Sequence, residues 1–563
     1  MPSPDITWPA PELSPTVNLR LLLASMSLRD KVAQLVMPWI PGSYAAYDDS
    51  SFSVAERWVD SLHVGGIIVS IGSPLDIAAR LNRLQTLAPL PLLVASDLES
   101  GSSFRLNGGT PFPTNMGVGA AGSELDAYEM GRITALEGRA VGIHLDFAPV
   151  ADINNNPANP IINTRSFGES PSAVARLVAA EIRGLQDHGM LATAKHFPGH
   201  GDTGTDSHIS LPVITANWAR LDTLELVPFR AAIRAGVTAV MSAHISLPTI
   251  DSGMNRPATV SPSILTGILR DSLGFDGLIV TDALNMGALV SSYGAGEATV
   301  LAFLAGADLL LQPADPGVAI EAMLNAVETN RVTLGRLDSS LLRVLELKRG
   351  MGLFGQRLVS LDRVPAVVGS SAFGEIAKDV TARSIVLVKD SAGTVDSMRA
   401  GPRPLSVVAY GDDVGNTMTA ELRAKGYRAQ VFRLYSSSGP ASYDSARVVL
   451  GRTSIALFVT AVRATAGSGN IGLPAAFAAL MDSSALQRRT VLISFGSPYL
   501  IAQTPGVGSY ILGWQARAMS ERAMAAALSG AIAITGTLPI TVPWGGPLGY
   551  GLRRDVPPAA GRH

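Results

Sequence analysis

A chain of 563 residues, 47% hydrophobic and only 16% charged, is too long for one ordinary core and too apolar to be disordered, so two globular domains are expected. Its formal net charge of −2 provides no field for nucleic acid or an anionic membrane, and the densest basic run, Leu552-Arg553-Arg554, is too short to supply a local one. Without cysteine, disulfides, thiolate catalysis and cysteine-ligated metal centres are excluded.

The first residues, Met1-Pro-Ser-Pro-Asp-Ile-Thr-Trp-Pro, contain no basic segment followed by an apolar one. The expectation is a cytoplasmic protein as the sequence stands, or a periplasmic or secreted one if a leader has been removed. Ser27-Leu-Arg-Asp30 and Ser170-Pro-Ser172 read as helix starts, with polar caps or proline ahead of amphipathic stretches. Between such helical stretches fall eight strand-like runs: Leu35 to Ile40, Gly66 to Ser70, Leu92 to Asp97, His144 to Val150, Leu191 to Phe197, Ala239 to Ile245, Leu278 to Ala283, and Asp308 to Gln312. Apolar runs alternating with helical spacers predict parallel strands buried on both faces. Eight such units in succession predict a closed (β/α)8 TIM-type barrel over residues 1–355, in preference to an open doubly wound sheet.

A helix from Leu337 to Gly350 ends the barrel, broken by Gly350-Met-Gly-Leu-Phe-Gly355, and residues 356–383 read as a linker returning into a helix. A second rhythm follows: Ser384 to Val388, Leu405 to Tyr410, Ala429 to Leu434, Ile455 to Val459, Val491 to Ser494, and Tyr510 to Leu512. It predicts a smaller three-layer α/β sandwich domain over residues 384–563. Gly411-Asp-Asp-Val-Gly415 lacks the third glycine and the lysine of nucleotide-binding loops. The uncharged stretch from Ala523 to Leu552 is interrupted by glycines and prolines. It reads as a helix, a buried strand (Ile532 to Thr535 or Leu538 to Val542) and turns, with no membrane span.

Barrel active sites form at the C-terminal strand ends, and these ends are rich in chemistry here. Run three ends in Asp97-Leu-Glu99, and run four leads through Asp146 to Asp152 and on to Arg165. Run five enters Lys195-His-Phe-Pro-Gly-His-Gly-Asp-Thr-Gly-Thr-Asp-Ser-His208, run six reaches His244, and run seven ends in Thr281-Asp282. A carboxylate at the mouth of a buried strand needs a partner; Lys195 or Arg165 would keep Asp282 ionised, as a glycosyl-enzyme nucleophile requires. The competing reading is a helix N-cap. Asp206 stands two residues from His208, a spacing that lets its carboxylate orient one ring nitrogen while the other faces substrate. Gly199, Gly201 and Gly204 suit a loop with unusual dihedrals. Asp97, Arg165, Lys195 and His196 suit the gripping of sugar hydroxyls, or else rim salt bridges. His196, His200 and His208 could hold a metal, but the adjacent Lys195 opposes a cation and run one lacks paired histidines.

The run from Lys195 to His208, followed by Leu211-Pro212, closely resembles the signature of family 3 glycoside hydrolases of the β-N-acetylglucosaminidase branch. So do Phe147 to Asp152, Asn156 to Pro160, Thr164 to Gly168, Thr281 to Leu284 with Met286, Ala305 to Leu309, Ser384 to Val388 and Gly536 to Pro539. The resemblance implies a retaining two-step hydrolysis of terminal β-linked N-acetylhexosamine. It implies Asp282 as nucleophile, His208 as acid/base steered by Asp206, and Asp97, Arg165, Lys195 and His196 as sugar-holding groups. The family's β-glucosidase branch takes an acid/base glutamate from the second domain. The matching segment here, Ala466 to Pro474, has no carboxylate. Ser100 replaces the first of two glycines usual after the glutamate of the run-three loop.

The expected partner is a small carbohydrate, such as a peptidoglycan or chitin fragment, with no nucleic acid, no membrane span, no metal and no cofactor. A β-glucosidase or a glycoside phosphorylase on the same scaffold, and a non-catalytic sugar-binding protein, are the alternatives. The phosphorylase stays open because a neutral histidine repels phosphate less than a carboxylate does.

Overall fold

The computed structural model describes residues 17–46, 49–207, 209–251, 253–464 and 471–558. Two compact units emerge. One comprises Met1–Thr110, Ala127–Ile153 and Ala175–Gly374; the other comprises Pro111–Asp126, Asn154–Val174 and Glu375–His563.

The first unit is the (β/α)8 barrel. Its first strand is divided by Pro38, which has no N–H to give, into β1 (Val36–Met37) and β2 (Trp39–Ile40). From β2 the sheet runs in chain order, all parallel, through β3 (Gly66–Val69), β4 (Leu93–Ser96), β5 (Leu145–Asp146), β6 (Leu191–Phe197), β7 (Ala239–Ser242) and β8 (Leu278–Val280). β9 (Leu310–Leu311) closes the ring. It pairs in parallel with β1, and Val280 bridges to Leu309. The closing bonds are visible on both sides: Leu310 N–H donates to the Leu35 carbonyl at 2.9 Å, and Thr281 N–H to the Leu309 carbonyl at 3.1 Å.

Each predicted run contains a barrel strand, and the apolar strands β3, β4, β7 and β8 are buried along their whole length. Most strands are shorter than their runs. Asp97, Phe147 to Pro149, Ala243 to Ile245 and Asp282 to Ala283 lie just past the strand ends, at the face where barrels carry their chemistry. The outer helices start as the sequence implies. The Ser27 hydroxyl accepts the Asp30 N–H, Asp315 caps a helix with Pro316 in its first turn, and Pro171 opens the helix Pro171–Gln186. The helix Leu334–Gly350 carries Lys348 and Arg349 in its last turn.

The second unit is built on a six-stranded sheet of β10 (Val386–Asp390), β11 (Pro404–Tyr410), β12 (Arg428–Leu434), β13 (Ile455–Thr460), β14 (Arg489–Ser494) and β15 (Ser509–Leu512). The spatial order is β10-β15-β14-β13-β11-β12, parallel except for β10 against β15. Successive residues point to opposite faces. Val408, Phe458 and Leu492 therefore pack with the helices Pro440–Leu450 and Ala475–Ala485, while Val407, Leu457 and Ile493 pack with Asn416–Ala424 and Ala518–Leu528. That is the predicted three-layer sandwich.

Two local expectations change. Ser384 ends the helix Ser371–Ser384, so the first strand begins two residues later, at Val386. Neither Ile532 to Thr535 nor Leu538 to Val542 forms a strand. Ile534, Leu538, Ile540 and Val542 are buried, but with only isolated bridges, Ile534 to Arg554 and Val542 to Gly546. Gly536, Pro539 and Pro543 break up any ladder there. Among the described residues no single helix is long and apolar enough to cross a membrane.

Candidate active site

β6 delivers Lys195 and His196 to the mouth of the barrel. Lys195 is 1% exposed, and a buried ammonium must be paired. Its Nζ donates to Asp97 Oδ1 at 2.7 Å and stands 2.8 Å from Glu99 Oε1. Arg105 approaches the other Asp97 oxygen at 3.5 Å. The turn carrying the two acids is held from below, where Leu98 N–H donates to Asp146 Oδ1 at 2.8 Å.

One residue farther, a second carboxylate organises the next stretch. Asp152 is fully buried. It bonds His196 Nδ1 at 2.6 Å and accepts the His196 N–H at 3.2 Å and the His200 N–H at 2.6 Å. This fixes the imidazole of His196 and pins the start of the loop after β6. The peptides Lys195–His196 and Phe197–Pro198 are both cis. Gly199 has φ 130°, a value side chains rarely adopt. Gly201 is needed for a different reason than the dihedral freedom expected of it: a Cβ there would collide with the Ile153 carbonyl. Gly204 has open space and no positive φ.

His200 bonds Thr203 Oγ1 through Nδ1 at 2.9 Å and Ser207 Oγ through Nε2 at 3.1 Å. Burial, reinforced by the neighbouring His196, lowers its pKa to about 4, so it is neutral near pH 7. Both its ring nitrogens are engaged by hydroxyls, which removes it from the suggested metal triad. Among the described residues no group of three His, Asp or Glu side chains is arranged to hold a metal. Asp206 is buried, and its carbonyl accepts the N–H groups of Ile209 and Ser210. His208 lies outside the described residues.

Asp282 stands two residues past the end of β8, half-buried, with Oδ1 accepting the Ala283 N–H at 2.8 Å. It is not the cap of the following helix, Gly287–Tyr293, whose cap position is Met286. Burial alone would raise its pKa. His244, His196, the Ala283 N–H and Lys195 together outweigh that and hold the carboxyl below its ordinary value. The partners expected for it were Lys195 and Arg165. Lys195 is committed to Asp97 and Glu99, and the two imidazoles contribute more than it does. His244 is fully buried. Its Nε2 donates to the Ala283 carbonyl at 2.9 Å, and its Nδ1 bonds Thr259 Oγ1 at 2.8 Å.

Asp97, Lys195, His196 and Asp282 are thus brought into one neighbourhood of the barrel. Arg165 belongs to the second unit, at the end of the short helix Asn163–Arg165, and donates to the Ile161 carbonyl at 3.1 Å. Glu99, Arg105, Asp152 and His244 join the site without having been given a role from sequence. Each except Arg105 stands at or just past a predicted run, so the strand-end position was the available signal.

Residues 27–347 match the family described as Glycosyl hydrolase family 3 N terminal domain. Among similar proteins, a β-N-acetylglucosaminidase/β-glucosidase of Cellulomonas fimi is 34% identical over 346 residues, 60% of this chain and 61% of that protein. A β-hexosaminidase A of Pseudoalteromonas piscicida is 33% identical over 351 residues, 57% of each chain. The chain therefore spans about three-fifths of the length of these two relatives. The solved structure of a family 3 β-N-acetylglucosaminidase from Paenibacillus sp. str. FPU-7 superposes with a TM-score of 0.82 at 35% identity, covering 92% of this chain and 99% of that one. A β-glucoside phosphorylase, BglX, superposes with a TM-score of 0.83 at 25% identity, covering 94% and 96%.

Proposed function

This chain belongs to glycosyl hydrolase family 3, and on that premise we propose that it is a retaining, exo-acting β-N-acetylhexosaminidase releasing terminal β-linked N-acetylglucosamine. The observation that carries the reading is Asp282: a carboxylate just past β8, kept ionised against burial by His244, His196, the Ala283 N–H and Lys195. A nucleophile must be charged and fixed before substrate arrives.

Asp282 attacks the anomeric carbon as the glycosidic bond breaks. His208, oriented by Asp206, gives its proton to the departing oxygen. In the second half, His208 takes a proton from water, water attacks the anomeric carbon, and Asp282 leaves as a carboxylate. Asp97, Lys195, His196 and Arg165 hold the sugar hydroxyls. The Lys195–Asp97 contact at 2.7 Å and the Asp152–His196 contact at 2.6 Å support preorganised donors for that task.

A second reading, β-glucoside cleavage with water or phosphate, is favoured by the double name of the Cellulomonas fimi relative and by the likeness to BglX. Purified protein assayed on aryl β-glycosides, with and without inorganic phosphate, separates the two. Faster release from the N-acetylglucosaminide, unchanged by phosphate and lost in Asp282→Ala, supports the first. Preference for the glucoside, or a sugar phosphate as product, supports the second.

A further inference from the structure

Behind the Lys195 pair lie two acids that the proposed chemistry does not use. Asp146, the last residue of β5, is fully buried; Oδ1 accepts the Leu98 N–H, and Oδ2 has no hydrogen-bond partner among the described residues. Glu181, on the helix Pro171–Gln186, is 2% exposed, and its Oε2 likewise has none. The cation acting on both is Lys195, whose Nζ is already 2.7 Å from Asp97 and 2.8 Å from Glu99. Asp97, Glu99, Asp146 and Glu181 thus share one lysine, and Arg105 reaches Asp97. An ionised Asp146 would leave charge on a buried oxygen with no hydrogen-bond partner among the described residues, near a lysine already paired with two carboxylates.

We infer that Asp146 is a positioning residue for the Asp97–Glu99 turn, and that it acts as a neutral acid so that Lys195 stays committed to Asp97 and Glu99. The inference rests on reading Asp97 and Lys195 as sugar-holding groups. Leu98 lies between the two acids, so the bond from its N–H to Asp146 fixes both.

The charged groups facing Asp146 agree with this. Burial pushes its carboxyl up to about 8, outweighing the Leu98 N–H and Lys195, while Asp97 and Glu99 push it further up. Burial also raises Glu181 well above its ordinary value, with Asp146 and Glu99 adding to it. Above pH 8 Asp146 ionises and competes for Lys195, and the grip on the sugar loosens.

The experiment compares the full chain with Asp146→Asn, a neutral isostere that keeps the Leu98 acceptor, and with Asp146→Ala, which removes it. The first readout is melting temperature against pH, which needs no substrate. A neutral native Asp146 stays protonated between its unfolded pKa near 3.8 and its folded pKa near 8, while the unfolded chain does not. Wild type therefore loses stability relative to Asp146→Asn across that window, and the gap levels off above pH 8. The second readout is KM for an aryl β-N-acetylglucosaminide. It rises about fivefold in wild type between pH 7 and 9 with a smaller change in kcat, stays level in Asp146→Asn, and is already raised at pH 7 in Asp146→Ala.

Parallel melting curves for wild type and Asp146→Asn overturn the inference, whatever the activity. Matching KM profiles for those two also overturn it, without touching the assignment of activity. A diverging pair of melting curves with no turnover in any variant upholds the neutral acid and sinks the assignment of activity instead. Asp146→Asn carries both readouts even if Asp146→Ala fails to fold.

Discussion

Asp152 takes His196 twice, at the ring Nδ1 at 2.6 Å and at the peptide N–H at 3.2 Å, and so sets both the direction of the imidazole and the path of the chain beneath it. The same carboxylate holds the His200 N–H. Asp152→Ala is expected to lower kcat/KM by roughly 10- to 100-fold, the range typical of groups that orient a functional imidazole. If the loss acts through His196, Asp152→Ala added to His196→Ala costs much less than on wild type. Steady-state kinetics of the double-mutant cycle check this.

His244 and Asp282 meet across Ala283, whose N–H bonds Asp282 and whose carbonyl accepts from His244. His244 also heads the groups that pull the Asp282 carboxyl down. Since the carboxylate must be ionised to react, its pKa sets the acid limb of kcat/KM. Replacing His244 by Gln removes a stabilising group and moves that limb to higher pH. A pH profile of kcat/KM on an aryl glycoside reads the shift directly.

Lys195 is buried with two carboxylates on its ammonium. Lys195→Met leaves Glu99 without the ammonium and Asp97 with only the more distant Arg105. Breaking a buried pair this way costs about 3–5 kcal/mol, so denaturant titration should show the variant clearly destabilised. KM should rise as well if Asp97 holds the sugar as proposed, because its geometry is set by the Lys195 contact.

Lys348 is fully buried, its Nζ donating to Gln34 Oε1 at 2.7 Å, and burial lowers its pKa from 10.5 to about 7. Between those values the native chain has released a proton that the unfolded chain keeps. Its contribution to stability is therefore present in full above 10.5 and lost as pH falls through 7. Relative to Lys348→Met, the unfolding midpoint of the wild type in urea should rise between pH 7 and 9. An unchanged slope in the variant would place the dependence elsewhere.

The barrel was legible because buried parallel strands leave uninterrupted apolar runs. Ile67, Ile68 and Val69 need no partner residue to be identified as interior. Asp282 and Lys195 could be singled out as candidates because a charged residue at or near the end of such a run is costly unless partnered. Asp146 carried the same signal, yet sequence gives no hint that it serves the backbone of Leu98, which lies 48 positions away. Glu181 looks like any solvent-facing glutamate on an amphipathic helix; only the packing of that helix buries it. The glycines of the loop after β6 were read as conformational, but Gly201 is demanded by the Ile153 carbonyl, a tertiary contact with no local trace.

The most direct test of Asp282 as nucleophile is to trap the intermediate. A fluorinated N-acetylglucosaminyl donor with a good leaving group forms the glycosyl-enzyme quickly and releases it slowly, so that peptide mass spectrometry can locate the sugar. A single adduct on the peptide containing Asp282, absent from Asp282→Ala, is the predicted result. Steady turnover of the donor with the sugar on another residue, or with none attached, would contradict it.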